Sequence, residues 1–449
     1  MEYPGSKLTR PIRLALLITF IAAFFIISPL VIIFSAGFRF DIKNGLLRET
    51  GSLSVDVIPE STSVYLDGLK IDQKMPIRLN NITPHKYILR LSAPGYYEWE
   101  KIIEINNNQT TYIKGLILIK KSPPVNISKE KVGAISVSPS GKFLAYTIIG
   151  KNETEVIIRD NITGAKSTAV TIPSSLKMIL TWSPNGYFLA VSTEQTPYKL
   201  INIINAATPY KSQTLGLHNN LTVNKYIWSN DAEPKFYFEN DGQIRSYLPR
   251  LDQSSTLTSS TFQDWYVYEG LLWTIDYNTS TDGLEIISDT LGFKNNFFTI
   301  KPTESVSSSS LKAFKLSSVN KKTAVLSDHN SNKYYIVTKD RYYSINGNQM
   351  LYSKYNNWLL IWTPWEFWTY SEGDEPYLLN RSGDELNNVV PLDQFNTLAM
   401  IWENNVTVLH PYFFTQRTII DGAVNSLSVD TETRHIYYSN NEGIWKLSY

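Results

Sequence analysis

Five histidines, His85, His218, His329, His410 and His435, are the side chains best suited by type to shuttle a proton or ligate a metal. None stands in an H-E-x-x-H spacing, and neither a G-x-S-x-G elbow nor a phosphate-cradling G-x-x-x-x-G-K-[ST] loop occurs anywhere in the chain. Cysteine is absent, which excludes thiolate nucleophiles, Cys-ligated zinc and disulfides. Catalysis needs clustered partners, so the scattered histidines read as surface or loop residues. The sequence thus offers no catalytic residue, no cofactor site and no metal site.

The strongest chemical oddity is aromatic. "WLLIWTPWEFWTY" runs from Trp358 to Tyr370. Trp358, Leu360 and Trp362 share one face of an extended chain, and Glu366, Trp368 and Tyr370 share another beyond Pro364. Exposed rings here could stack on sugars or anchor a protein, which makes Trp365, Trp368 and Tyr370 the candidate partner or glycan contacts. The competing reading is two core strands, apolar on both faces because they are covered on both sides. "SEGDEP" (Ser371 to Pro376) follows with Glu372, Asp374 and Glu375. Its spacing lacks an EF-hand pattern and reads as a solvated acidic turn.

These residues need elements to position them, and composition says which. The 449 residues suffice for two or three domains. Aromatic content is 13%, with 28 tyrosines, and Ile, Val, Thr and Ser abound, as on half-buried pleated surfaces. With 42 basic against 41 acidic residues, the chain has no basic excess to meet nucleic-acid phosphates, so no nucleic-acid partner is expected.

Residues 14–38, "LALLITFIAAFFIISPLVIIFSAGF", carry no charge over 25 positions. About 20 apolar residues span a bilayer as a helix. The run is too long for a signal-peptide core and lacks a small-x-small end, so it reads as an uncleaved single-pass anchor. A short basic tail (1–13) precedes it and a juxtamembrane linker (39–50) follows. Flanking positive charges balance; the large thiol-free body behind a short basic tail predicts an extracytoplasmic location at the cell membrane.

Residues 51–120 form one small unit. Leu53, Val55 and Val57 alternate with Ser52, Ser54 and Asp56, as in a half-buried strand. Asp67-Gly68 suits a tight hairpin, and Tyr87, Leu89 and Leu91 repeat the alternation. The ordered series "GSLSVDVIP", "SVYLDG", "MPIRLNNITPHKYILRLSAPGYY" and "GLILI" resembles the PEGA domain, a small β-sandwich. The namesake quartet is replaced by Ala93-Pro94-Gly95-Tyr96. That resemblance implies a spacer or interaction module of envelope proteins and no catalysis. Ser122-Pro123-Pro124 opens a linker at 121–131.

From residue 132 the chain repeats itself. "ISVSPSGKFLAYT" returns 45 residues later as "LTWSPNGYFLAVST", each a hairpin with Pro139 or Pro184 setting the turn and Gly141 or Gly186 relieving it. The pattern apolar-x-apolar-(Ser/Thr/Asp) ends at Ser138, Ser183, Ser229, Ser317, Thr363 and Asp430, at intervals of 45, 46, 88, 46 and 67. The interval of 88 should hide a degenerate unit, "WYVYEGLLWTIDY…GLEIIS", and that of 67 two shortened ones. Such a period with about four strands per unit marks a β-propeller over residues 132–449, of eight or alternatively seven four-stranded blades. The S-P-x-G-x-x-L-A form resembles the TolB-type propeller repeat; the Trp-Asp ending of WD-type repeats is missing.

The expected protein is therefore all-β apart from an N-terminal transmembrane helix, with a PEGA-like sandwich and a propeller. Its expected role is non-enzymatic: an envelope-tethered binding or scaffold protein whose propeller presents a protein- or glycan-binding face. The alternative is a propeller hydrolase or lyase acting on envelope polysaccharide, which would need acids converging in the channel.

Overall fold

The computed structural model describes residues 10–35, 38–41, 46–173, 177–194, 201–210, 213–215, 223–258, 262–290, 293–302, 306–320, 322–328, 330–353, 358–395 and 397–449. The chain divides into two units, Met1–Ser122 with Tyr449, and Pro123–Ser448.

In the first unit a helix spans Arg10–Ser35, starting and ending a little before the expected 14–38, with Pro29 inside it. Its Pro11–Ile32 stretch has a mean hydropathy of 2.7 and is long and apolar enough to cross a membrane. Phe20 and Phe25 are about 70% exposed on it (71% and 70%). The expected linker 39–50 instead carries two strands, Phe38–Asp41 and Leu46–Glu49, paired antiparallel. Alternation in such short runs is too brief to read from sequence.

Two sheets follow. One runs Ile77–Ile82, Gly51–Ile58, Thr110–Ile117, its last pair parallel; the other runs Leu69–Ile71, Ser63–Leu66, His85–Ser92, Trp99–Ile105. The alternation seen in the sequence becomes burial: Leu53, Val55, Val57, Val64, Leu89 and Leu91 are at most 1% exposed. Each such aliphatic side chain contributes roughly 1.5–3 kcal/mol.

In the second unit, eight four-stranded antiparallel sheets are present among the described residues. Their first strands are Val132–Val137, Met178–Trp182, Val223–Trp228, Asp264–Tyr268, Lys315–Val319, Gln349–Ser353, Leu386–Pro391 and Ser426–Asp430. First strands of neighbouring sheets face one another. Val132–Val137 touches both Met178–Trp182 and Ser426–Asp430, which places these strands at the hub. Second strands are among the most buried elements: Thr323–Asp328 and Leu398–Trp402 are buried throughout.

Each sheet packs its broad face on the next. Phe143 and Val156 of the first meet Trp182 and Leu189 of the second; Tyr237 and Ile244 of the third meet Trp265 of the fourth. Trp273 of the fourth packs with Phe314 and Tyr335 of the fifth. Trp362 and Phe367 of the sixth pack with Met400 and Trp402 of the seventh. The wheel closes where Tyr437 and Ile444 of the eighth sheet meet Val137 and Tyr146 of the first. There Ser426 and Ser428 hydroxyls accept the backbone N–H groups of Ile135 and Val137 at 3.1 and 2.9 Å. This is a β-propeller.

The eighth sheet takes only three strands from the C-terminal end, Ser426–Asp430, His435–Asn440 and Gly443–Ser448. Its outermost strand is Val125–Ser128, with Val125 opposite Lys446 and Asn126 opposite Trp445. A stretch inside the expected linker 121–131 is thus a pairing strand, because its N–H groups cover an edge that would otherwise lie open.

The repeated dozen residues now have a physical account. Ser138, Ser183 and Ser229 accept the N–H groups of Phe143, Phe188 and Lys235 at 2.9–3.0 Å, closing the first hairpin of their sheets. Trp182 and Trp228 donate Nε1–H to the carbonyls of Ser136 and Thr181 in the preceding sheet, both at 3.1 Å. Gly141 and Gly186 have φ of +66° and +71°. A Cβ on them would strike the Asp430 carboxylate or crowd Ser140 of the sheet before, so conformation and close approach both demand glycine.

Two markers sit elsewhere than the regular spacing predicts. Ser317 falls inside a first strand, Lys315–Val319, and Thr363 follows a second strand, Trp358–Trp362. The interval of 67 therefore holds the last half of the sixth sheet and the whole seventh. The degenerate segment within the interval of 88 is the fourth sheet, from Asp264 to Ile300. There the two-residue turn Glu269-Gly270 replaces Ser-Pro-x-Gly, which is why the motif search passes over it.

Candidate partner-binding face

An acid–base site lining the hub would draw on the first strands. The eight first strands carry two carboxylates, Asp264 and Asp430, and both are engaged. Asp264 accepts Lys225 Nζ at 3.1 and 3.2 Å on its two oxygens, and the Leu316 N–H at 2.6 Å. Asp430 Oδ1 accepts the N–H groups of Glu432 and Thr433, both at 3.1 Å. Burial pushes the Lys225 ammonium down from its ordinary range, and Asp264 pulls it part of the way back. Among the described residues no three His, Asp or Glu gather as metal ligands would. His410 is buried against the Phe413 ring, centroids 4.6 Å apart; His435 Nδ1 lies 2.6 Å from Thr433 Oγ1; His85 is exposed on the sandwich. His218 and His329 lie outside the described residues.

Trp365, Trp368 and Tyr370 occupy one edge-to-end path and do not converge. Trp365, 51% exposed, sits in the turn between the second and third strands of the sixth sheet. Trp368 is half-buried in the third strand, Glu366–Tyr370, and donates Nε1–H to Glu366 at 3.3 Å. Tyr370 is 5% exposed at the strand's far end. Five extended residues put Trp365 and Tyr370 roughly 16 Å apart, at opposite ends of the wheel. Burial pushes the Tyr370 phenol up. Most of the "WLLIWTPWEFWTY" run is core: Leu359 to Trp362 and Phe367 are at most 3% exposed.

Tyr370 nevertheless points to the informative end of the molecule. Turns between first and second strands, and between third and fourth, all lie at that end. There Tyr412 (64% exposed) and Phe414 (57%) rise from the turn between Asn405–His410 and Thr415–Asp421 in the seventh sheet. Tyr377 (54%) starts the last strand of the sixth. The rings form two pairs across the sheet boundary, Trp358 with Tyr412 at 5.7 Å and Tyr377 with Phe414 at 6.4 Å. Phe414 holds φ at +49°, a left-handed conformation that costs a bulky residue about 1–2 kcal/mol. The strain at Phe414 roughly offsets what its exposed ring gains from packing on Tyr377, so the placement adds little to the fold.

At the same end lies a cleft of about 690 Å³ bordered by the outer strand of the fourth sheet and the turns of the fifth and sixth. Lys322 and Arg341 on the fifth sheet reach Glu372 and Glu375 of the sixth at 2.5 and 3.8 Å. These contacts show "SEGDEP" acting as a turn with ion-paired acids; Asp374 accepts the Ser371 hydroxyl at 2.5 Å.

Residues 50–117 match the PEGA domain family. No curated protein sequence matches the chain. Among solved structures, the C-terminal WD40 domain of Sif2 is similar at 8% identity and a TM-score of 0.47, covering 72% of this chain and 97% of that one. The β-propeller domain of Myceliophteria_thermophila Cps50 (Swd1) is similar at 12% identity and a TM-score of 0.41, covering 73% and 100%. Dihydro-heme d1 dehydrogenase NirN is similar at 10% and 0.45, covering 66% and 67%. At such values the propeller rests on this chain's own sheets. The chain is thus one whose residues 50–117 match the PEGA domain and whose later sheets form a β-propeller.

Proposed function

We propose that this protein is a non-enzymatic binding or scaffold protein of the cell envelope, anchored by its N-terminal helix, with its PEGA domain and TolB-like propeller outside the membrane. The propeller presents the paired rings of Tyr377, Tyr412 and Phe414 to an envelope protein. The observation that carries this reading is that patch: large, exposed aromatic rings, the residue class that dominates protein interfaces, one of them held on a left-handed backbone position at Phe414. The engaged state of Asp264 and Asp430 supports binding over a hydrolase or lyase acting on envelope polysaccharide, since Asp264 is occupied in linking three sheets and Asp430 in capping its own turn.

The test is reciprocal capture from solubilised envelope with the full-length chain, wild type against Tyr412→Ala/Phe414→Ala. A protein retained by the first and lost by the second is expected. Retention by both, or a glycan array that responds to the same two residues, would move the patch to another role. Orientation is tested separately with Ser344→Cys, an exposed position in a chain without native thiols. A membrane-impermeant maleimide should label it in intact cells, and protection until lysis would place the propeller inside.

A further inference from the structure

We propose that the cleft between the fifth and sixth sheets binds a carboxylate-bearing saccharide, whose acid groups take Lys322 and Arg341 over from Glu372 and Glu375. This site is separate from the ring patch and stands whether or not that patch binds a protein.

The argument begins with the two ion pairs. Lys322–Glu372 and Arg341–Glu375 both join the fifth sheet to the sixth beside the same cleft. Three of the four side chains are largely exposed, Lys322 73%, Arg341 62% and Glu375 79%, while the Glu372 side chain is 34% exposed. Pairs of that kind contribute little to stability, so the fold does not require them, and exchanging one carboxylate for another costs little. Lys339 stands exposed at the cleft margin with them. The three cations sit on the fifth sheet, with Asp340 between Lys339 and Arg341, and the two carboxylates that pair with them sit on the sixth, an arrangement in which an anionic guest displaces the sixth sheet's partners.

The remaining wall chemistry narrows the guest. Phe297 is 43% exposed in the outer strand of the fourth sheet and rests on buried Trp273, centroids 4.8 Å apart. Tyr343 is half-buried on the fifth sheet, where its hydroxyl accepts Arg341 Nη1–H at 3.2 Å. A ring face, planar polar groups for hydroxyls (Asn296 and Asp340) and a cavity of about 690 Å³ suit a short sugar chain, within the roughly 300–1,000 Å³ typical of ligand sites. A bare anion would leave the rings unused, and an uncharged sugar would leave the cations on their own carboxylates.

Internal competition gives this proposal a sign that a structural role does not. In calorimetric titration of the full-length chain in detergent, trigalacturonate should bind while maltotriose and inorganic phosphate do not. Lys322→Ala/Arg341→Ala should weaken binding at least 10-fold, whereas Glu372→Gln/Glu375→Gln should strengthen it several-fold by removing the competitor. Binding should weaken as salt rises, and Tyr412→Ala/Phe414→Ala should leave it unchanged. The proposal is overturned if trigalacturonate does not bind wild type, if maltotriose or triglutamate binds equally well, or if the glutamine variants lose affinity while keeping the wild-type melting temperature.

Discussion

Lys225 Nζ lies 3.1 Å from Asp264 Oδ2 and 2.9 Å from the carbonyl oxygen of Leu316, so one side chain of the third sheet joins the first strands of the fourth and fifth. Asp264 completes the triangle by accepting the Leu316 N–H. Asp264 is buried and Lys225 half-buried, with side-chain exposures of 6% and 26%. Breaking a buried pair by deleting one partner strands the other and costs about 3–5 kcal/mol. Asp264→Ala should lower unfolding stability by that amount in urea titration. Lys225→Met/Asp264→Leu should recover at least ~1 kcal/mol of the loss, because no orphan charge remains. A double variant no better than the single would mean that the contact of Asp264 with the Leu316 backbone, and not the charge pair, is what matters.

The indole links between sheets make a second test. Trp182→Phe and Trp228→Phe keep a ring in the core while removing the donors to Ser136 and Thr181. Each should cost about 1–2 kcal/mol, a lost hydrogen bond plus a carbonyl left without its partner. The Thr181 carbonyl belongs to the peptide that leads into Trp182, so the double variant should depart from additivity by at least about 0.5 kcal/mol. Denaturation midpoints of the two single variants and the double variant measure this directly.

Closure of the wheel depends on a strand from the other end of its own unit. Asn126→Pro/Ser128→Pro removes two N–H groups from the strand that pairs with Gly443–Ser448. Calorimetry should show a melting point lower by several degrees and a broader transition, because the eighth sheet would lose its outer edge first. An unchanged, equally sharp transition would mean that the pairing contributes nothing.

Much of this architecture was legible in the residues, and the reasons are local. Ser138-Pro139 and Ser183-Pro184 announce themselves because turn chemistry needs particular residues at particular places. The sandwich is legible because Leu53, Val55 and Val57 alternate over a surface that buries one face. The sixth and seventh sheets were harder to divide. Buried second strands such as Trp358–Trp362 and Leu398–Trp402 are apolar on both faces, so neither period nor register shows in them. The ring patch escaped for another reason. Trp365, Trp368 and Tyr370 stood out by density, yet density marks core as readily as surface. The signal that existed was "HPYFFT" (His410 to Thr415), three aromatics inside a Pro-containing turn, where nothing can cover them all.

Acid should loosen one turn measurably. Asp160 Oδ1 accepts the N–H groups of Thr163 and Ile162 at 2.9 and 2.8 Å, and the Thr163 bond foremost holds its carboxyl below the usual range. A depressed folded-state pKa stabilises the protein above the unfolded value of about 3.9 and loses that contribution as pH falls through the folded value. The group is exposed, so the effect on global stability is small. Carboxyl NMR titration should place Asp160 below an ordinary aspartate, and Asp160→Asn should flatten the acid limb of the stability curve slightly. A normal midpoint would remove the capping role.

Phe414 allows stability and binding to be separated in one substitution. Its φ of +49° is one that glycine adopts without penalty, so Phe414→Gly relieves about 1 kcal/mol of backbone strain. The same change removes the ring and its contact with Tyr377, an aromatic pair worth about 0.5–1.5 kcal/mol. Glycine also gains freedom in the unfolded chain, about 0.4–1 kcal/mol against the fold. The sum predicts a variant within about 1 kcal/mol of wild type, whereas a buried phenylalanine would cost about 3–5 kcal/mol. Partner capture by the same variant should fall at least tenfold if the ring is held out for recognition. A stable variant that still captures would show that the strained turn serves something other than the patch, and a variant that unfolds would show that Phe414 is part of the core.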